Sequence, residues 1–469
     1  MKKIFQYALF IPLILFILVQ SMTGCANIIP PNGGAKDTIP PKLFAALPKD
    51  SAKNVNTNKI VLTFNEYVEV KDIQQNLIVS PNPKNLPLID YKLNTVTIKL
   101  KDSLEPNTTY SINFGNCLKD INEGNIAKNF TYIFSTGNTI ANNTFSGKVL
   151  LAETGKIDST LLVVLHKTLN DTAVLKNRPR YFAKVDGKGN FNFKNLPEGV
   201  FKAYVVSDFY TKQYNDSTKL FAFLDSSINI SDETSSAIFY AFEEAKAKSK
   251  TNTSQTSSPS RNTKEDKRLR ITDNLENGRK DLLNDTLQLT FTRKLKTFDS
   301  ARIILTDTNN TVLKNYHIIL DTAKTKASLI YKWKESQQFK LIIPKDAVID
   351  TSNTSLAKAD TIKFSTKTEA EYGGVHLRFN NLDTSKNPVL QILLNDKIVE
   401  SIPLKKRTFD RDLYYPGDYE LRILFDKNKN GIWDTGNFKK KIQPEIVQQL
   451  QKKLNVRANF NDTETEITL

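Results

Sequence analysis

Asp426-Lys427-Asn428-Lys429-Asn430-Gly431-Ile432-Trp433-Asp434 is the stretch whose residue types and spacing could do chemistry most directly. Asp426, Asn428, Asn430 and Asp434 carry oxygens at positions one, three, five and nine, Ile432 offers a carbonyl at seven, and Gly431 permits the sharp turn at six. That is how a twelve-residue calcium loop begins, because alternate spacing converges the oxygens on one point. The twelfth position should hold a bidentate Glu, and here it is Asn437. Two carboxylates with Lys427 and Lys429 interleaved make a weak field for a hard dication. The expected affinity is that of extracellular modules, about 10⁻⁴–10⁻³ M. Glu445 is a later carboxylate that could join as a ligand. The same residues equally suit an Asx-rich turn between strands, closed by its own side chains. A related stretch after Asp208 keeps acids at its first and ninth positions, Asp208 and Asp216, but loses the Asn pair and the Gly. The loop is therefore not strictly needed for folding. No cofactor is required, and calcium is the one the sequence admits.

Catalysis has little support elsewhere, and the chain reads as a non-enzyme. Its three histidines, His166, His317 and His376, each lie in apolar, strand-like stretches far apart in the chain. Such histidines are more often satisfied strand residues than bases or ligands. There is no Gly-x-Ser-x-Gly elbow, His-Glu-x-x-His, Gly-x-x-x-x-Gly-Lys-Ser/Thr or Cys-x-x-Cys. Trp333 and Trp433 could stack on sugar faces, which keeps a glycan partner open, but their apolar positions favour the core. The net charge of +16 comes from lysines scattered among Asp and Asn, without an Arg stripe or interleaved aromatics. That argues for a solvated surface and against nucleic acid.

The first twenty-five residues carry the clearest instruction. Lys2 and Lys3 precede an apolar run from Phe5 to Val19, then Ser21-Met22-Thr23-Gly24-Cys25. A basic start, a short apolar core and small residues at a cleavage site describe a secretory signal over 1–24. Gly24-Cys25 resembles the bacterial lipobox, with Met22 where that box usually has Leu. The resemblance implies diacylglyceryl transfer to Cys25, leaving Cys117 as a free thiol read as a small core residue. Each buried methylene contributes about 0.8 kcal/mol, so two or three chains anchor durably where one does not. Residues 25–38, with Pro30, Pro31, Gly33 and Gly34, read as a tether that stands the first domain off the bilayer. Ala26 is not Asp, which by resemblance to enterobacterial sorting implies the outer membrane, on either face.

A string of domains must stand on this anchor. The 469 residues suggest three to five domains at about 100–150 residues each. Abundant Phe and Tyr (27 and 16) with recurrent Thr, Ile and Val favour pleated, half-buried surfaces. Two kinds of stretch each occur twice. In 39–138, Leu62-Thr63-Phe64 and Tyr110–Phe114 alternate like strands, and in 268–368 Leu287–Phe291 and Phe339–Ile343 answer them. Asp120 precedes Phe134-Ser135-Thr136 by the same spacing as Asp350 precedes Phe364-Ser365-Thr366. In 144–242, Gly189-Asn190-Phe191-Asn192-Phe193 and Leu196-Pro197-Glu198-Gly199 lead into Phe201–Val206 and Asp208. In 372–469, Pro416-Gly417 leads into Tyr419–Phe425 and Asp426.

Phe64-Asn65-Glu66, Leu104 to Tyr110, Asp120 to Asn125 and Phe134-Ser135-Thr136 resemble the S-layer-type bacterial Ig-like domain; the second copy lacks the Gly-Asn turn. The other pair resembles the transthyretin-like or carboxypeptidase-regulatory fold. With the post-cysteine segment Pro31-Asn32-Gly33-Gly34-Ala35-Lys36-Asp37-Thr38-Ile39-Pro40-Pro41, the order resembles a lipoprotein family of the Bacteroidetes. The fold expected is all-β: tandem antiparallel β-sandwiches, Ig-like, transthyretin-like, Ig-like, transthyretin-like, with a short C-terminal helix over Ile446–Leu454 after Pro444. Lys246 to Lys264 is Lys, Ser, Thr and Asn with almost no apolar residue, and residues 243–267 read as a mobile linker. The picture is of two rigid pairs of modules joined flexibly. It implies a non-catalytic, lipid-anchored scaffold or adaptor at the outer membrane, for instance an accessory subunit of a machine assembling or exporting surface proteins. The partners expected are the membrane, through the lipid, and envelope proteins. The rival is a glycan- or calcium-dependent surface adhesin.

Overall fold

A computed structural model describes residues 36–231, 235–244, 268–460 and 464–469. The signal segment, Cys25, most of the tether and most of the linker lie outside the described residues. The chain divides into two compact units between Ile140 and Ala141.

The first unit holds β1 (Leu43–Leu47), β2 (Lys59–Phe64), β3 (Val68–Val70), β4 (Ile78–Ser80), β5 (Leu88–Lys92), β6 (Thr95–Lys99), β7 (Thr109–Asn113), β8 (Leu118–Asp120) and β9 (Thr131–Ser135). One sheet runs β1-β2-β6-β5, a second β4-β7-β9, and β3 pairs with β8. The period of two does the work: Ile60, Leu62 and Phe64 of β2 are buried while Lys59 is exposed. They meet Ile112, Phe114, Tyr132 and Phe134 in one core. Cys117 sits buried in that core, a small core residue, and its Sγ donates to the Phe114 carbonyl at 2.8 Å.

The second unit contains three modules. The first has β10 (Asn143–Leu151), β11 (Leu162–His166), β12 (Tyr181–Lys184), β13 (Asn190–Leu196), β14 (Gly199–Val206), β15 (Phe221–Phe223), β16 (Ile228–Ile230) and β17 (Ser235–Ala241). Its sheets are β13-β10-β17 and β12-β11-β14-β15, with β16 also on β14. The next module holds β18 (Ile271–Asp273), β19 (Arg279–Lys280), β20 (Thr286–Phe291), β21 (Leu295–Phe298), β22 (Ile304–Thr306), β23 (His317–Leu320), β24 (Lys326–Ile330), β25 (Gln338–Ile343), β26 (Val348–Asp350) and β27 (Asp360–Thr366). Its sheet β18-β20-β24-β23 repeats β1-β2-β6-β5, its β22-β25-β27 repeats β4-β7-β9, and β21-β26 repeats β3-β8. The copy that lacks the Gly-Asn turn therefore keeps the whole topology.

The last module holds β28 (Gly373–Asn380), β29 (Pro388–Leu394), β30 (Lys397–Pro403), β31 (Thr408–Tyr414), β32 (Gly417–Phe425), β33 (Ile446–Gln449), β34 (Leu454–Val456) and β35 (Thr465–Thr468). Its sheets β31-β28-β35 and β30-β29-β32-β33, with β34 also on β32, repeat the 144–242 module strand for strand. In both copies the first and last strands pair in parallel, as β10 with β17 and β28 with β35.

The expected C-terminal helix is a correction. Residues 446–454 form β33 and the turn into β34, both antiparallel to β32. Ile446, Val447, Leu450 and Leu454 mimic a helical stripe. However, β32 otherwise leaves one side of its backbone unpaired, and two short strands satisfy it. The earlier copy carries β15 and β16 at the same place.

The picture of two pairs joined flexibly is also corrected, because the 144–242 module packs on the last module within one compact unit. The 268–368 module joins that last module through polar contacts. Arg279 makes a bidentate pair with Glu371, the Tyr415 hydroxyl donates to Asp281 at 3.0 Å, and the Leu282 amide donates to the Tyr372 hydroxyl at 2.8 Å.

Candidate functional site

Asp426 stands where β32 ends, and it is 1% exposed. Its Oδ1 accepts from the backbone N–H of Lys429 at 2.6 Å and of Asn430 at 3.3 Å, and its Oδ2 from Gly431 at 2.6 Å. One carboxylate thus closes the turn, with Gly431 in the left-handed region at φ 79°. The Asn428 and Asn430 amide groups both donate to one oxygen of Asp434, at 2.6 and 2.7 Å. Their own carbonyl oxygens accept the N–H of Asn430 and Ile432. Glu445, also buried, accepts from Lys427 N at 2.6 Å and Asp434 N at 3.1 Å, and its carbonyl takes the Trp433 indole N–H at 2.7 Å. Sequence reasoning weighed Glu445 only as a late ligand; here it braces both ends of the loop.

The side chains at positions three, five and nine meet, whereas Asp426 at position one binds backbone N–H groups, and the Ile432 side chain faces solvent. Both Asp426 oxygens, both Asn oxygens and the shared Asp434 oxygen already have donors from the chain. Among the described residues no group of three or more His, Cys, Asp or Glu is placed to hold a metal. In this geometry the loop's own N–H and amide groups occupy those oxygens, the arrangement of an Asx-rich turn. The same device recurs at Asp120, which accepts from Glu123, Gly124 and Asn125, and at Asp350, which accepts from Ser352 and Thr354. Burial pushes the Asp120 carboxyl up, but the N–H groups of Gly124, Glu123 and Asn125 outweigh it and hold the pKa below the usual range.

Two outcomes follow. Excess chelator should leave the melting temperature unchanged in a thermal scan. Asp426→Ala, which strips a buried acceptor from three N–H groups, should lower stability by about 1–3 kcal/mol in urea unfolding.

Beyond Asp434 the chain makes an arm over 435–443 that docks on the 144–242 module. Phe438 is its centre and is 7% exposed. Its ring lies 4.9 Å from Phe221, 5.2 Å from Phe223, 5.8 Å from Tyr204 and 6.2 Å from Tyr214, centroid to centroid. Three of the four contacts are edge-on, the geometry in which aromatic pairs attract beyond their buried area. Glu244 accepts from the Phe438 N–H and from the Tyr214 hydroxyl. Burial and that hydrogen bond both push the Tyr214 phenol well above its usual pKa. Gln443 donates to the Phe223 carbonyl at 3.1 Å and to Asp225 at 2.8 Å. Lys441 reaches Asp171 at 2.6 Å and lies 4.3 Å over the Phe438 ring.

A second contact seals the sheet. Val447 N of β33 donates to the Ala152 carbonyl at 2.9 Å, so the edge of the last module is capped by backbone from the earlier one. Gly155 makes this approach feasible, since a Cβ there would lie 2.8 Å from the Val447 carbonyl oxygen. Gly436 plays the same part under Phe242, whose ring a Cβ would meet at 2.7 Å. No local sequence pattern announced this interface.

The histidines are not brought together. His317 is exposed, and His376 faces Asp410 at 3.2 Å. His166 is 2% exposed on β11, and its Nε2 has no hydrogen-bond partner, which departs from the satisfied strand histidine expected. Trp333 lies in a core with Tyr331, Phe339 and Phe364, its indole donating to the Asp285 carbonyl. Trp433 packs on Val389, Leu424 and Val447. Neither forms an open stacking platform.

Comparison with known proteins is in keeping with the geometry of the first unit. No curated protein matches the chain. Among solved structures, alpha-2-macroglobulin from Escherichia coli is 13% identical with a TM-score of 0.20, over 39% of this chain and 72% of that one. The major pilin subunit of Bacillus cereus is 10% identical with a TM-score of 0.16, over 70% and 99%. The S-layer protein SbsC is 12% identical with a TM-score of 0.16, over 90% and 54%. At this distance none of them says what this chain does. Residues 37–136 match the family model of the bacterial Ig-like domain, as Phe64-Asn65-Glu66 and the Asp120 turn imply.

Proposed function

We propose that this chain is a non-catalytic scaffold, anchored by acylated Cys25 at the outer membrane, that holds envelope proteins along an open sheet edge. Its concrete form is an accessory subunit of a machine that assembles or exports surface proteins. One observation carries the reading. In the last module the β33 edge is capped by Ala152, whereas β30, at the other end of the same sheet, pairs only with β29 among the described residues. On that uncapped strand Ile398 and Val399 are exposed side by side. Natural sandwiches guard such edges or use them to add a partner's strand. The bacterial Ig-like match supports a structural rather than a chemical role for the first unit.

The test is affinity capture of the tagged protein from gently solubilised membranes. A stoichiometric envelope partner is expected with the native chain. Ile398→Lys should lose it by charging the edge, and Cys25→Ala should lose it by releasing the protein from the membrane. Recovery of no partner, or of the same partner with the edge charged, contradicts the reading.

The convergence of Asn428 and Asn430 on Asp434 favours a second reading, a calcium-dependent adhesin. Rotating both amides would turn two carbonyl oxygens toward a cation beside Asp434. Calorimetry with millimolar calcium, followed by a glycan array with and without it, separates the two readings.

A further inference from the structure

Five large apolar side chains stand exposed at one end of the first unit: Ile39, Phe44, Tyr67, Leu93 and Ile121. Hydrogen bonds tie the segments that carry them into one surface. Val68 N donates to the Leu93 carbonyl, Ile121 N to the Tyr67 carbonyl, and Asn65 N to the Lys42 carbonyl. The Asn125 side chain reaches the carbonyls of Asp37 and Ile39. Phe44, 79% exposed, is the bulged residue of β1 between Leu43 and Ala45, at this end of the strand. Scattered apolar residues need no explanation; four on neighbouring loops beside a fifth at a strand bulge do.

Leu93 sharpens the point. It occupies the two-residue turn between β5 and β6 at φ 54°, a conformation that favours Asn, Asp or Gly. A leucine there, 56% exposed, is unfavourable both for the backbone and for solvation. An outlier of this kind points to use rather than to folding.

We infer that this end of the first unit is a seat on the lipid bilayer, with Ile39, Phe44, Tyr67, Leu93 and Ile121 entering the headgroup layer. The inference rests on Cys25 being the anchor. The chain arrives from Cys25 at this very end, since Asp37 and Ile39 lie against Asn125. The fourteen residue-to-residue steps from Cys25 to Ile39 reach at most about 50 Å when fully extended, at roughly 3.3–3.6 Å each. The tip is thus confined next to the membrane, so a contact too weak to bind alone becomes effective. Tyr is a residue of bilayer interfaces. Charge selects the lipid. Asp37, Glu66 and Glu123 surround the tip, and Glu66 titrates above its usual value through burial and then the negative charges of Asp120, Asp37 and Glu123. A zwitterionic surface suits this end better than an anionic one.

The experiment uses the full acylated protein with Leu93→Cys carrying an environment-sensitive fluorophore; Cys117 is buried and Cys25 is blocked by its lipid. A second sample carries the label at Lys101→Cys, beyond the opposite end of β6. Both are placed in phosphatidylcholine–phosphatidylethanolamine vesicles. At position 93 emission should shift to shorter wavelength and be quenched by lipid-borne nitroxides; at 101 it should do neither. Adding anionic lipid should weaken the shift. Vesicle-bound protein with both labels in water overturns the seat and leaves the anchor standing. A shift that appears without vesicles as protein concentration rises assigns the surface to a second copy of the chain, and also overturns it. Protein that fails to float with the vesicles reports failure of the anchor itself. A histidine-tagged Cys25→Ser form on nickel-chelating lipids then tests the seat by the same two criteria.

Discussion

Phe438→Ala should uncouple the last module from the 144–242 module. Removing a buried phenylalanine ring typically costs about 3–5 kcal/mol, and here the ring joins two modules whose own cores do not include it. The loss should therefore fall on their docking rather than on either fold. At about 1.4 kcal/mol per tenfold, it corresponds to docking weakened by roughly a hundred- to several-thousand-fold. In urea the native protein should lose both modules in one transition, and the variant should show two. Gly436→Val, which drives a side chain into the Phe242 ring, should act in the same direction. The exposed pair of Lys156 and Asp396 joins the same modules at 2.5 Å, yet its removal should change little, because surface ion pairs are screened.

The second large effect is acid sensitivity centred on His166. Burial pushes its pKa down to about 4 from an ordinary value of 6.5. The ring packs edge-on against Tyr204, 5.9 Å away, and Tyr204 in turn touches Phe438. The unfolded chain takes up the proton more readily than the fold does. Stability is therefore complete above pH 6.5 and declines as the pH falls toward 4, by about 3 kcal/mol at 1.36 kcal/mol per unit. Below that the contribution levels off. His166→Leu should abolish this part of the pH dependence. At neutral pH it should cost nothing, since it removes an unpaired buried nitrogen. Urea midpoints of native and variant protein at pH 7.5 and 4.5 give the difference, in which the titration of the carboxylates cancels.

Much of this architecture is legible in the sequence, and the reasons are physical. Strand alternation in Ile60–Phe64 and Leu287–Phe291 reports burial on one face, so both Ig-like cores could be read without a structure. The shared spacing from Asp120 to Phe134 and from Asp350 to Phe364 reports a turn clamped by a buried carboxylate, and both acids do this. The Asp426 loop was legible for the same reason. What failed was reading Ile446–Leu454 by its local period, which could not weigh the unpaired side of β32. Aligning the segment with Phe221–Ile230 of the other copy would have found it.

The docking arm left a fainter trace. The loop after Asp426 runs to Ile446, longer than the one from Asp208 to Phe221, and beyond Trp433 it holds a single aromatic residue, Phe438, in a run of Asn and Lys. An isolated phenylalanine in an insertion could have raised suspicion. Its receptor could not, because Tyr204, Tyr214, Phe221 and Phe223 read as ordinary core until a partner ring is placed among them. Contacts between modules distant in the chain leave no period to read.

The scaffold reading depends on the 144–242 and 372–469 modules being one body, and severing the chain between them tests this most directly. A protease site placed within 250–260 of the full-length protein, then cut, leaves two fragments joined by no peptide bond. The fragments should co-elute as a single species at neutral pH and separate when Phe438 is Ala. Fragments of the native sequence that part on cutting would contradict the account.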